Sequence, residues 1–126
     1  STTTLAVDDT LKVPMVANGK YLVKFYVTGA QAASSGLKYG FNGPAGAVLV
    51  RAIGRHVSFG TAPASFIANT YDTTGKAFTN GSSALHWIEL HMQVQNGATA
   101  GDLQFTWAQN SSEATNASIT AGSYVE

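Results

Sequence analysis

Three histidines, one adjacent pair of aspartates and one aromatic, carboxylate and imidazole run are the residues of this chain whose types could do chemistry. The histidines are His56, His86 and His91. His86 and His91 fall in one alternating run at an odd separation, so on a strand they point to opposite faces and cannot share a metal without a bulge. The chain has no cysteine, and no Asp/Glu cluster completes a ligand set, so the histidines read as hydrogen-bonding groups of a surface or interface rather than metal ligands. Asp8-Asp9 is the only carboxylate pair. Neighbouring residues on an extended segment diverge, which denies them the facing geometry of acid–base hydrolysis, and the pair reads as a solvated N-terminal turn. The nucleophile elbow, the phosphate-binding loop and the HExxH zinc helix are all missing. The expectation is a protein that is not an enzyme, with no catalytic residue, no metal and no cofactor.

Trp87, Glu89 and His91 alternate with Ile88, Leu90, Met92 and Val94. If the aliphatic stripe faces a core, a large aromatic remains on the outer face, where a partner that covered it would recover about 25 cal/mol per Å² of apolar surface. This face is therefore the candidate subunit interface, formed by Trp87, Glu89 and His91, with Tyr26 and Tyr39 assigned to the same class. The competing reading is a tryptophan covered by its own chain, since single outward aromatics are ordinary. The same cluster is the one place where an aromatic lies near a carboxylate, so it is also where a carbohydrate-binding or enzymatic reading would have to stand.

The elements that must position these groups are strands. Period-two alternation runs through the chain, and no window holds apolar residues at helical spacing. Lys20 to Thr28 sets Tyr21, Val23, Phe25 and Val27 against Leu22, Lys24 and Tyr26 after an Asn18-Gly19 turn. Leu11 to Val16 reads as a strand that Pro14 confines to an edge or a bulge, because proline has no N–H for a ladder. Leu37 to Asn42 ends at the turn cluster Asn42-Gly43-Pro44-Ala45-Gly46. Ala47 to Phe59, bulged at Gly54, Ala64 to Tyr71, Lys76 to Thr79 and Ala84 to Gln95 follow, with turns at Asp72-Thr73-Thr74-Gly75, Asn80-Gly81 and Asn96-Gly97. The last strands are Gly101 to Ala108, with Leu103, Phe105 and Trp107 on one face and Gln104, Thr106 and Ala108 on the other, and Ala121 to Val125. About eight or nine strands at near-regular spacing predict one all-β domain over residues 1–126, an antiparallel β-sandwich or jelly roll. The exposed binding loops are expected at Gly29 to Ser35, Gly60 to Ala64 and Asn110 to Ser118, with Gln31, Ser34, Ser35, Asn110, Ser111, Ser112 and Asn116 as candidates.

Composition narrows the function classes further. Seven Lys plus Arg balance seven Asp plus Glu in 126 residues, so no basic field exists to attract nucleic acid. Charged residues make up 11% of the chain, well below the average of about 25%, which leaves a surface of Ser, Thr, Asn, Gln, Gly and Ala. The absence of cysteine fits assembly in a reducing cytoplasm. No apolar run approaches the roughly 20 residues of a membrane helix, and membrane insertion is not expected. Asn-x-Ser/Thr triplets at Asn80, Asn110 and Asn116 arise freely by chance in a chain so rich in these residues. Ser1 and Glu126 are unusual places for a natural chain to begin and stop, so the sequence reads as a fragment or processed form.

The segment Gly101 to Tyr124, GDLQFTWAQNSSEATNASITAGSY, resembles the end of a jelly-roll module of tailed-bacteriophage structural proteins. In that family a strand of the type T-L-x-(L/F)-x-W-A-Q, a polar turn and a closing G-S-(Y/F)-(L/V) finish a trimeric sandwich similar to the tumour-necrosis-factor and C1q heads. Val16-Ala17-Asn18-Gly19-Lys20-Tyr21 and Asn42-Gly43-Pro44-Ala45-Gly46-Ala47 resemble, more loosely, its second-strand entry and its G-P-x-G-A turn. The resemblance implies a homotrimer on the virion surface, assembled in the bacterial cytoplasm. Its partners would be copies of itself and the major capsid protein or tail proteins, with a bacterial surface glycan or receptor as a possible target. Capsid decoration is the favoured role, with a tail-fibre or receptor-binding head as the alternative and a carbohydrate-binding jelly roll behind it. The shared motif is structural, so no binding residue is carried over with it.

Overall fold

The structure is a computed structural model that describes residues 3–30, 37–58, 64–72, 77–80, 85–109, 111–112, 114, 117–119 and 122–126. Among these the regular elements are all strands. They are β1 (Ala6–Met15), β2 (Lys20–Ala30), β3 (Leu37–Asn42), β4 (Val48–Ser58), β5 (Ala64–Asp72), β6 (Ala77–Asn80), β7 (Leu85–Gln95), β8 (Gly101–Gln109), β9 (Ser118–Ile119) and β10 (Tyr124–Val125). All pairings are antiparallel. One sheet has the order β1-β8-β3-β6, and the other β10-β2-β7-β4-β5, with β9 also on β2. As Pro14 requires, β1 is an edge strand of its sheet.

The two sheets pack face to face because alternation leaves each with one apolar side. Val23, Phe25 and Val27 of β2 and Ile88, Leu90, Met92 and Val94 of β7 are buried from one sheet; Leu37, Tyr39 and Phe41 of β3 and Leu103 and Phe105 of β8 are buried from the other. Phe25 bridges the layers, its ring centroid 5.3 Å from that of Phe41 and 5.8 Å from that of Phe105. The β7 and β8 stripes belong to the same core cluster. The other side of β8 is more closed than its sequence suggests. Thr106 and Ala108 are also buried, since β8 is a central strand with Thr106 paired to both Val7 and Gly40.

Two irregularities redirect side chains. In β1 the register jumps between Val7 and Lys12, and the intervening residues deliver Leu11 into the core. In β4 the break lies at Val50, between Leu49 and Arg51, and not at Gly54 as the sequence suggested. The extra residue shifts the alternation, so Leu49 and Ala52 face the core while Arg51, Ile53 and Arg55 face out.

At one end of the sandwich three turns converge. Asn96 is a buried polar residue whose side-chain amide donates to the carbonyls of Val16, at 2.8 Å, and Thr99, at 2.9 Å, while its Oδ1 accepts from Gly97 N–H. Its own N–H donates to Gly19 O, and Asn18, at φ 57, donates to Gly97 O. Gly97 is needed for space, since a Cβ there would lie 2.9 Å from the Ala45 carbonyl oxygen. The closing segment is pinned similarly: Gly122 adopts φ 98, Ser123 Oγ accepts from Thr28 N–H at 3.0 Å, and Tyr124 stacks on Tyr26 at 4.8 Å. These contacts give the G-S-Y motif a physical role. Replacing Asn96 by Ala removes part-buried hydrogen bonds to two turns, and a loss of about 1–3 kcal/mol in urea unfolding is expected.

Candidate functional site

The outward side of the larger sheet gathers the residues singled out by their chemistry. Strand register sets Tyr26 beside Glu89 and Glu89 beside Arg55; one rung on, Lys24, His91 and Ile53 are aligned, and the next rung holds Leu22, Gln93 and Arg51. Tyr124 on β10 pairs with Tyr26. Each position follows from alternation, because the partners of opposite parity on the same strands fill the core.

Most of these groups are engaged within their own chain. His91 Nε2 lies 2.8 Å from Glu89 Oε1, and the edge of the His91 ring meets Tyr26 with centroids 6.2 Å apart. Arg55 lies over the Trp87 ring, 5.9 Å from its centroid, and Trp87 is half-buried. Lys24 and Glu126 approach to 4.0 Å as an exposed pair of small energetic weight. The reading in which Trp87 is covered by its own chain is the one this geometry favours. The large apolar groups left open on this face are Leu22, 81% exposed, Ile53, 54%, and Tyr124, 51%, at the sheet edge.

Tyr39 does not belong to this face. It is fully buried on the inward side of β3, stacked on Phe105 with centroids 5.8 Å apart, and burial pushes its phenol pKa up. The reason is parity, for Tyr39 shares its face with Leu37 and Phe41. Of the loop candidates, Ser111 and Ser112 are exposed, while Gln31, Ser34, Ser35, Asn110 and Asn116 lie outside the described residues. The side chains of His56 and His86 lie outside them as well. β7 pairs with β2 without interruption from Leu85 to Gln95, so no bulge moves position 86 onto the face of His91. Among the described residues no group of three or more His, Cys, Asp or Glu could hold a metal ion.

No family model, no curated protein and no solved structure matches this chain.

Asp8, read from the sequence as part of a solvated turn, instead organises the β1 bulge. Its Oδ1 accepts from Thr10 N–H at 2.9 Å, from the Thr10 hydroxyl at 2.7 Å and from Leu11 N–H at 3.0 Å. Partial burial alone would raise its pKa, but these bonds, with one from the Trp107 side chain, outweigh it and hold the carboxyl below its ordinary value of 3.8. A depressed folded-state pKa stabilises the fold above the unfolded-state value, and that contribution is lost as pH falls through the folded value. Asp8→Asn should therefore cost about 1 kcal/mol at neutral pH, and the deficit should start to shrink as pH falls below about 4 and disappear only below the folded-state pKa when stability is followed by denaturant titration across pH.

Proposed function

We propose that this chain is the jelly-roll surface module of a tailed-bacteriophage particle, a non-enzymatic homotrimer that decorates and stabilises the capsid and contributes to attachment at the host surface. The observation that carries the reading is the strand order. Taken along the chain, β1, β3, β6 and β8 form one sheet and β2, β4, β5 and β7 form the core of the other, in the orders β1-β8-β3-β6 and β2-β7-β4-β5. This distribution of eight strands supports the jelly-roll reading, an architecture used by capsid and lectin domains. The resemblance at Leu103 to Gln109, within β8, and at Gly122 to Tyr124, which leads into β10, supports the phage assignment.

The outer face of the larger sheet is free in the assembly on this reading. Trp87, Tyr26, Glu89 and His91 already have partners in their own chain. Multi-angle light scattering should give three copies per particle for the wild type and for Trp87→Lys alike. A monomer at micromolar concentration would remove the trimer, and loss of the trimer in Trp87→Lys would return the contact to this face. A subnanometre reconstruction of the virion should show the density on the capsid; density at the tail tip alone would contradict the decorating role.

A further inference from the structure

We propose that the outer face of the larger sheet binds an acidic saccharide, a pyranose chain bearing carboxylates, along the trough between β2, β7 and β4. The inference rests on the reading that this face is free in the assembly. An open depression of about 230 Å³ is lined by Leu22, Lys24, Arg51, Ile53, His91 and Gln93. A second, of about 240 Å³, shares Ile53 and His91 and adds Arg55 and Glu89. Because the two share Ile53 and His91, they form one run that crosses β2, β7 and β4 at the first depression and continues along β7 and β4 at the second. The strands it crosses are spaced about 4.8 Å apart, so the trough spans about 10 Å from β2 to β4, the length of roughly two pyranose rings.

The lining suits such a ligand on three counts. The floor is aliphatic: Leu22 and Ile53 offer their side chains to the C–H face of a ring, and burying them recovers free energy that a wholly polar ligand would not. The rims are cationic, with Lys24 and Arg51 at the first depression and Arg55 at the second. No carboxylate of a described residue lies within ion-pair distance of Arg51 or Arg55, and a guanidinium presents the planar fork that grips a carboxylate through two bonds. Between the rims sit the hydroxyl-binding groups, Gln93 and the His91–Glu89 pair, the latter held at 2.8 Å. The exposed ring of Tyr124, stacked on Tyr26, extends the apolar surface at the edge. A neutral glycan would leave both arginines unanswered, and inorganic phosphate would leave the aliphatic floor uncovered.

The test is a heteronuclear NMR titration with a galacturonic acid trimer, a galactose trimer and inorganic phosphate, with light scattering on the same samples. Saturable shifts of the Leu22, Ile53, His91 and Gln93 amides are expected with the acidic trimer and not with the other two. Arg51→Gln should weaken that binding about tenfold with an unchanged melting temperature, and Lys12→Gln, on the opposite sheet, should leave it unaltered. Absence of saturable shifts on this face, equal binding of the neutral trimer or of phosphate, or an equal loss in Lys12→Gln would overturn the proposal. Trimers that bind no acidic sugar would sink the ligand alone. Monomers that bind it would sink the assembly and keep the trough.

Discussion

The contact of Phe25 with Phe41 and Phe105 is the constraint on which the rest of the molecule depends, because it is where one sheet meets the other. Phe25 stands at the middle of β2, and its ring reaches tilted contacts at 5.3 Å and 5.8 Å with rings from β3 and β8. Aromatic pairs in such offset or tilted arrangements add about 0.5–1.5 kcal/mol to the area they bury. Their position matters more than their sum. Once Phe25 faces inward, Tyr26 and Lys24 must face outward, and the ladder from β2 through β7 to β4 carries that choice to Glu89, His91, Ile53 and Arg55. The chemistry of the outer face is a consequence of how the core is filled.

The boundaries of the sandwich are held by polar contacts of a different kind. Asn96 knits the turns that follow β1 and β7, with Gly97 allowing the turn before β4 to approach. Asp8 secures the β1 bulge that supplies Leu11 to the core. Ser123 and Tyr124 fasten the closing strand to β2. A fold with few charges and no disulfide thus relies on buried side-chain amides, one caged carboxylate and positive-φ turns to fix its corners.

Strands whose alternation is unbroken were legible in the sequence. The inward set Val23, Phe25 and Val27 and the opposing Leu103 and Phe105 follow directly from period two, and so does the outward position of Leu22. Tyr39 was legible too, because it has the parity of Leu37 and Phe41, which opposes its assignment to the outer face. The bulges were not. Nothing in the residues around Val50 announces an extra position, and without it Ile53 and Arg51 would exchange faces with Ala52. The register jump in β1 is set by hydrogen bonds from Thr10 and Leu11 to Asp8, which read in the sequence as a turn. The outer trough therefore emerged only from the strand register, while Trp87, Glu89 and His91 could be placed on one face beforehand.

Two antiparallel sheets meet through Phe25, and the β2, β7 and β4 side chains of opposite parity face outward. Nuclear Overhauser contacts among selectively labelled aromatic rings test this arrangement most directly. Cross-peaks linking Phe25 to Phe41 and Phe105, with Tyr26 linked to Tyr124 and His91, are the predicted result. Cross-peaks from Phe25 to Trp87 or Tyr124, without those to Phe105, would contradict the account by moving β2 to the other parity.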